Sequence, residues 1–222
     1  MNWQSVIEDI VVTNVGGDGI LVTNENAAGQ PISNTEVNGR IAGSFIEAAG
    51  QDGIRVLDSG NSVTDWNLVD NWVAEAGDDA IDLDNAAGWR VIGNHTYRNA
   101  DAAIHADRLF GSSVSDNYDE DFGGNAAIDL ALNCCASSVV TGNRIFDLDG
   151  TGSGAHLRLS VVSDRATASA VGNAGRCREG GRRRGVGLDY QAKVTAVSTG
   201  NSVVGCKTPR RLGRGASVSR GR

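Results

Sequence analysis

Aspartate side chains recur beside short runs of Ile, Leu and Val, and their types and spacing could support acid and base chemistry. The fullest example is residues 77–84, with the sequence GDDAIDLD. The pair Asp78 and Asp79 precedes the isoleucine, and Asp82 and Asp84 follow it. Carboxyl groups in different surroundings can divide the roles of general acid and general base, and clustered carboxylates can bind Ca²⁺. The chemistry that these aspartates can support depends on the secondary structure that positions them.

The same motif recurs along the chain. It consists of two small or acidic residues, then an apolar residue, then alternating polar and apolar residues. Its apolar residues, called the marker residues below, are Ile20, Ile54, Ile81, Ile104, Ile128, Leu157 and Leu188. They lie 23 to 34 residues apart, a period typical of solenoids. An Asn follows each marker after 13 to 16 residues, in the order Asn34, Asn67, Asn94, Asn117, Asn143, Asn173 and Asn201. The sequence therefore predicts stacked coils with a strand and a turn of nearly fixed length.

Composition favours strands and tight turns over helices, since the chain has 30 Gly, 2 Pro and only 5% aromatic residues. We predict an all-β solenoid of about seven coils, forming a single domain over residues 1–206. The chain opens in the middle of the pattern, so we expect that an N-terminal cap is missing and that the protein is longer. Cys177 and Cys206 are about one coil apart and could pair, whereas Cys134 and Cys135 are adjacent.

The net charge is -7, but the charges are unevenly distributed along the chain. Residues 1–164 hold 25 acidic and 7 basic side chains, whereas residues 165–222 hold 2 acidic and 13 basic ones. Residues 207–222 are predicted to be a basic, flexible tail, because their arginines lack apolar partners. Nucleic acid is not an expected partner, since no aromatic residues interleave these arginines. A membrane span is not expected either, since no apolar run reaches about 20 residues.

Side-chain alternation predicts which residues face outward from the coils. With the markers inside, the first outward row is Leu21, Arg55, Asp82, His105, Asp129 and Arg158. A second row, two positions later, is Thr23, Leu57, Asp84, Asp107, Ala131 and Ser160. Carboxylates stacked about 4.8 Å apart repel and raise a pKa unless a cation or arginine neutralises them.

These rows supply candidate roles. Asp82, His105 and Asp129 are candidate catalytic groups; Arg55, Asp84, Asp107 and Arg158 are candidate substrate-binding groups; Asp82, Asp84 and Asp107 could hold Ca²⁺. The alternative is an acidic, solvated sheet face without chemistry.

The runs that end in Asn94 and Asn143, VIGN and VVTGN, resemble the right-handed parallel β-helix of the pectate lyase and polygalacturonase superfamily. The resemblance covers about residues 5–205. It implies a ladder of stacked turn asparagines, whose amides satisfy buried backbone groups. It also implies an extracellular or cell-surface protein that acts on acidic polysaccharides.

A finer resemblance concerns the aspartates that precede the markers. Polygalacturonases carry an Asp before one strand and an Asp-Asp pair before the next, which would match Asp52 and the pair Asp78 and Asp79. The match implies that these groups supply the general acid and activate water in an inverting hydrolysis. The chain departs from the family pattern on the following coil, where Gly-His-Gly is replaced by Ala102 and Ala103, and no Arg-Ile-Lys appears on the coil after.

The sequence is compatible with three functions. A hydrolase would use the Asp52, Asp78 and Asp79 set. A lyase would use Arg or His to abstract the proton beside a uronate carboxylate that Ca²⁺ and Arg neutralise. A binding or adhesin-type solenoid would have no chemistry, and glycan contact would be favoured by aromatic platforms, for which the candidates are Trp66, Trp72, Trp89, Tyr97, Phe110 and Tyr118.

Overall fold

The computed structural model describes residues 2–3, 5–32, 36–58, 60, 62–149, 154–178 and 185–221. Each coil contributes one strand to each of three parallel sheets, so the predicted right-handed parallel β-helix is confirmed. Within these residues, no helix is long and apolar enough to cross a membrane.

The three sheets are built in chain order, one strand per coil. The first sheet comprises Val6–Glu8, Arg40–Ala42, Asn67–Val69, Arg90–Ile92, Ser113–Ser115, Ser138–Thr141, Thr167–Val171, Thr195–Thr199 and Ser217–Ser219. The second sheet comprises Val11–Val15, Phe45–Ala49, Trp72–Ala74, His95–Asn99, Tyr118–Phe122, Arg144–Phe146, Ala174–Arg176 and Ser202–Val204. The third sheet comprises Ile20–Thr23, Ile54–Leu57, Ile81–Leu83, Ile104–Leu109, Ala126–Leu132, Ala155–Val161, Val186–Tyr190 and Thr208–Leu212. A small fourth sheet comprises Asn2–Trp3, Glu36–Val37 and Val63–Thr64.

The marker residues form the central row of the core. They are partners in register across the third sheet from Ile20 to Leu188, and all of them are buried. Because the marker faces inward on each coil, the residue after it must face outward on each coil. The packing of one apolar row thus fixes the position of the polar row beside it.

An asparagine ladder occupies the turn between the first and second sheets. Its members are Asn71, Asn94, Asn117, Asn143, Asn173 and Asn201. In the first five members the side-chain amide donates to the Oδ1 of the next member at 2.9 to 3.0 Å, and every member also donates to a backbone carbonyl of an earlier coil, as Asn94 does to Leu68 at 3.0 Å. The residue before each member has positive φ, for example 70° at Gly93, which explains the Gly-Asn pairs.

One predicted ladder member was wrong. Asn67 lies in a strand of the first sheet, and the ladder residue of that coil is Asn71. The loop after Ile54–Leu57 contains an additional short strand, Val63–Thr64, which moves the turn four residues along the chain. The predicted member Asn34 lies outside the described residues.

The C-terminal segment also differs from its prediction as a flexible tail over residues 207–222. Thr208–Leu212 pairs with Val186–Tyr190, and Ser217–Ser219 pairs with Thr195–Thr199. Cys177 and Cys206 form a disulfide between adjacent coils, while Cys134 and Cys135 are free thiols.

Candidate active site

The outward row of the third sheet is a ladder of side chains with alternating charge. Its register joins Leu21, Arg55, Asp82, His105, Asp129, Arg158, Asp189 and Arg211 on consecutive coils. From Arg55 onward, a basic side chain follows each acidic one. The predicted repulsion between stacked carboxylates is therefore largely relieved by their neighbours in the row.

Asp82 occupies the centre of the most closely connected part of this row. His105 Nδ1 lies 2.9 Å from Asp82 Oδ1, and Arg55 Nε lies 3.8 Å from Asp82 Oδ2. The hydrogen bond to Asp82 raises the pKa of His105 to about 9, although burial acts to lower it. His105 is therefore a cation at neutral pH.

A second ladder, of aspartates, runs beside this row at the start of the strands. The N–H of Asp52 donates to Asp18 Oδ1 at 3.2 Å, the N–H of Asp79 donates to Asp52 Oδ1 at 2.9 Å, and the N–H of Ala102 donates to Asp79 Oδ1 at 2.7 Å. One oxygen of each carboxyl group is thus engaged by the backbone of the next coil. The other oxygens face the charged row: Asp52 Oδ2 lies 3.7 Å from Arg55 Nε, and Asp79 Oδ2 lies 3.6 Å from His105 Nδ1.

Burial makes these two aspartates weaker acids than usual. It raises the pKa of Asp52 to about 6 and that of Asp79 to about 7, even though backbone hydrogen bonds and the neighbouring cations act in the opposite direction. Asp79 therefore carries its proton over much of the range in which His105 is charged. Carboxyl, carboxylate and imidazolium meet here, because oxygen atoms of Asp79 and Asp82 and a ring nitrogen of His105 lie within 4.8 Å of one another.

The row continues toward the C-terminus as a chain of ion pairs. Arg158 Nη1 donates to Asp129 Oδ2 at 2.9 Å, and Arg158 Nε lies 3.5 Å from Asp189 Oδ2. Arg211 Nε donates to Asp189 Oδ1 at 2.8 Å. Burial opposes the ionisation of Asp189, but the hydrogen bonds from Arg211 and Gln191 outweigh it and hold the pKa of Asp189 below its usual value.

A groove of about 560 Å³ lies over this part of the sheet. Its walls are formed by His105, Asp107, Asn125, Asp129, Ala131, Arg158, Ser160, Gln191 and Arg211. It reaches the cluster of Asp79, Asp82 and His105 at His105, which contacts both aspartates. The groove presents donors and acceptors side by side, which suits a ligand rich in hydroxyl groups.

Comparisons with known proteins reveal a likeness of fold. No protein-family model matches the chain, and no curated protein matches it by sequence. Among solved structures, it is similar to DFA-IIIase from Arthrobacter chlorophenolicus A6 without its lid, with a TM-score of 0.62 and 18% identity over 95% of this chain and 51% of that one. The same enzyme without its lid, in complex with GF2, matches with a TM-score of 0.57 and 18% identity over 95% and 50% of the two chains. The chain thus spans about half the length of the structures it matches.

The structure places most of the predicted residues together. Asp52, Asp79, Asp82 and His105 form one connected group, with Arg55 at its N-terminal side. Asp129 and Arg158 lie on the following coils and line the groove.

Three predicted aspartates lie outside this connected group. Asp78 is exposed and faces Asp79 and Asp101. Asp107 is exposed, and a shift of register between Ala106 and Leu109 interrupts the second outward row at this point. Asp84 directly follows the strand Ile81–Leu83 and is half-buried. Burial raises the pKa of Asp84, and the charge of Asp107 raises it further.

The predicted Ca²⁺ ligands are not gathered at one point. Of the described residues, the clusters compact enough to share an ion on this face are Asp79 with Asp82 and His105, and Asp78 with Asp79 and Asp101. Asp84 and Asp107 belong to neither cluster. Ca²⁺ binding by Asp82, Asp84 and Asp107 stays a prediction.

Sequence reasoning missed the last two members of the row. Asp189 directly follows the marker Leu188, so extending the outward row by one coil finds it. Arg211 lies in the segment predicted as a tail, where no apolar marker announces a strand. Arg211 could be found from Asp189, because a carboxylate this buried needs a second cationic partner in addition to Arg158.

Proposed function

We propose that the chain is a carbohydrate-active enzyme that cleaves or modifies a polysaccharide on the outer face of the third sheet. The observation that carries this proposal is the meeting of Asp79, Asp82 and His105 at one end of the groove. A fold similar to that of DFA-IIIase, one structure of which holds GF2, supports a carbohydrate ligand. Extracellular action is part of the proposal, and the disulfide favours an oxidising compartment.

Hydrolysis is the reaction that this arrangement favours. Asp79, protonated up to about pH 7, would donate its proton to the oxygen of the leaving sugar. Asp82, flanked by His105 and Arg55, would be the ionised partner. Retaining glycosidases have carboxyl groups about 5–5.5 Å apart, and inverting ones about 6.5–9.5 Å apart. Oxygen atoms of Asp79 and Asp82 lie within 4.8 Å of each other, so the pair is an alternative to the Asp52, Asp78 and Asp79 set, and the anomeric configuration of the product distinguishes retention from inversion.

We propose that the substrate is an acidic, uronate-containing polysaccharide. Arg158 and Arg211 could bind a uronate carboxylate, but both are already paired with carboxylates of the protein. A uronate would have to compete with Asp129 and Asp189 for these cations, whereas a neutral sugar would not. The substrate panel must therefore include both classes of glycan.

The test is incubation of the purified chain with GF2, pectin, polygalacturonate, alginate and neutral glycans, first with Ca²⁺ and then with a chelator. Reducing ends and the ultraviolet absorbance of unsaturated uronates are followed. We expect reducing ends without unsaturation, and a loss of about 100-fold or more in Asp79→Asn. Asp18→Asn is the matched control, because it occupies the same ladder away from His105.

The other outcomes separate the alternatives. Unsaturated products that disappear in His105→Ala would support the lyase. Activity lost in Asp79→Asn but kept in His105→Ala would reject the lyase. Loss of activity with the chelator would support the Ca²⁺ requirement. No product from any glycan would overturn the enzyme proposal.

A glycan-binding solenoid without chemistry is the second candidate, and a row of rings on the second sheet favours it. The ring centroids of Phe45 and Trp72 are 6.4 Å apart, those of Trp72 and His95 are 4.0 Å apart, and those of His95 and Tyr118 are 4.6 Å apart. Trp72 is 41% exposed and could stack on a sugar. Trp66 and Trp89 are buried in the core and are not platforms. Binding of the glycan panel that is lost in Trp72→Ala, without any product, would support this candidate.

A further inference from the structure

A buried histidine faces the disulfide at the corner between the second and third sheets. His156 is 2% exposed, and its Nε2 lies 3.4 Å from Cys177 Sγ. Its Nδ1 lies 3.9 Å from Cys206 Sγ. In the described part of the chain, these two sulfur atoms are its polar contacts. Disulfide sulfurs are weak hydrogen-bond acceptors, so the polar edge of the imidazole is poorly satisfied for so buried a group.

The backbone around the ring leaves room for this cluster and for little else. A Cβ atom at Gly175 would lie 2.3 Å from His156 Nδ1, and one at Gly185 would lie 2.6 Å from Cys177 Sγ. The edge of Phe122 closes another side, with its ring centroid 6.2 Å from that of His156. The imidazole is thus held beside the sulfurs by its surroundings.

We propose that, when the disulfide is reduced, Cys177, Cys206 and His156 bind a thiophilic divalent cation such as Zn²⁺. Two thiolates and an imidazole are a ligand set that Zn²⁺ prefers, and water can fill the fourth position. The three ligand atoms lie within 4.8 Å of one another. This site is separate from the groove and does not depend on the proposed function.

The distance between Cys177 and His156 already suits a tetrahedral site, whereas the distance between Cys177 and Cys206 must increase. Bond lengths of about 2.3 Å to sulfur and 2.0 Å to nitrogen put a sulfur and a nitrogen ligand about 3.5 Å apart. The 3.4 Å between Cys177 Sγ and His156 Nε2 matches this value. Two sulfur ligands would be about 3.8 Å apart, so Cys206 Sγ must turn away from Cys177 once the bond is broken.

The chemistry balances in two steps. Two thiols of a reductant transfer two electrons and two protons to the disulfide, giving two cysteine thiols and the disulfide of the reductant. The cation then replaces the two thiol protons, which are released to water. The imidazole binds in its neutral form, so it loses no proton when the cation binds.

The test uses Co²⁺ as the probe on the full chain carrying Cys134→Ser and Cys135→Ser, because those free thiols would also bind metal. After reduction and removal of the reductant, Co²⁺ is titrated under anaerobic conditions. We expect a 1:1 complex with thiolate-to-cobalt charge-transfer absorbance and the visible bands of a tetrahedral ion, displaced by Zn²⁺. The oxidised protein should give neither signal.

Variants identify the ligands. Loss of an outer-shell partner alone costs about 10–100-fold in metal affinity, so His156→Ala should weaken Co²⁺ binding by at least about 10-fold. Cys206→Ser should abolish the tetrahedral spectrum, and His95→Ala should change nothing. Circular dichroism of each variant checks that the coils remain folded.

Three results would overturn the proposal. The first is a reduced, folded protein with two free thiols and no cobalt–thiolate absorbance. The second is unchanged affinity in His156→Ala. The third is unfolding on reduction that Zn²⁺ does not reverse.

Discussion

Replacement of Asp79 by Asn tests whether a buried carboxyl group is held in its protonated form beside His105. Asn keeps the oxygen that accepts the N–H of Ala102 and removes the ionisable group at the position of Asp79 Oδ2, which faces His105 Nδ1. The fold should therefore be retained, while the titration of residue 79 disappears. The variant separates the hydrogen-bonding role of this side chain from its charge.

The size of the effect follows from the pKa of Asp79, which moves from 3.8 to about 7 on folding. Because the folded-state value is raised, Asp79 contributes stability below pH 3.8, and that contribution is lost as pH rises through about 7. A shift of about 3 pKa units corresponds to roughly 4 kcal/mol. Since the side chain is 14% exposed, we expect about 2–4 kcal/mol.

Urea denaturation of the wild-type chain and of Asp79→Asn, from pH 4 to pH 8.5, measures the contribution of Asp79 to the free energy of unfolding. The stability of the variant relative to the wild type should already rise with pH at pH 4, should gain about 2–4 kcal/mol in total, and should level off by about pH 8. Asp18→Asn, in the same ladder, is the control for replacing an aspartate that accepts a backbone N–H. Parallel curves for Asp79→Asn and the wild type across this range would refute the reasoning.

Three further outcomes are expected. Asp82→Asn should lower the pKa of His105 from about 9 toward its ordinary value, as followed by NMR titration of the imidazole; an unchanged value would mean that Asp82 is not its partner. Asn117→Ala should cost about 3–5 kcal/mol in denaturant unfolding, because it removes ladder hydrogen bonds on both sides, whereas Asn67→Ala should cost little; equal effects would contradict the ladder assignment. Removal of residues after Cys206 should lower the melting temperature, since it deletes a paired strand of the third sheet, whereas loss of a flexible tail would leave it unchanged.

The sequence predicts the fold well because the solenoid repeats one local rule. A marker such as Ile81 must be buried on every coil, and side-chain alternation then fixes that Asp82 faces outward. Errors arise where a coil departs from the common length. Asn67 has the predicted spacing from Ile54, but the extra strand Val63–Thr64 displaces the turn to Asn71.

Charge pairing between coils is harder to predict, because it depends on the sign of a residue about 20 to 30 positions away. An isolated basic segment is typical of a solvated tail, and the single apolar residue beside Arg211, Leu212, is too little to indicate a strand. Its place in a strand becomes clear only when Asp189 is known to be buried on the preceding coil. The register shift beside Asp107 likewise depends on how two neighbouring strands match.

The alternating row also bears on how acid and base roles could be separated on a flat sheet. If every outward residue were an aspartate, the carboxylates would share one environment and their pKa values would rise together. Here His105 and Arg55 hold Asp82 between two positive groups, while Asp79 stands one step back, largely buried. The two carboxyl groups face the same imidazole but differ in their other contacts: Asp79 Oδ1 accepts the backbone N–H of Ala102, whereas Asp82 Oδ2 faces Arg55. Asp79, whose pKa burial raises to about 7, and the cation-flanked Asp82 thus present two carboxyl groups in different surroundings with oxygen atoms within 4.8 Å of each other.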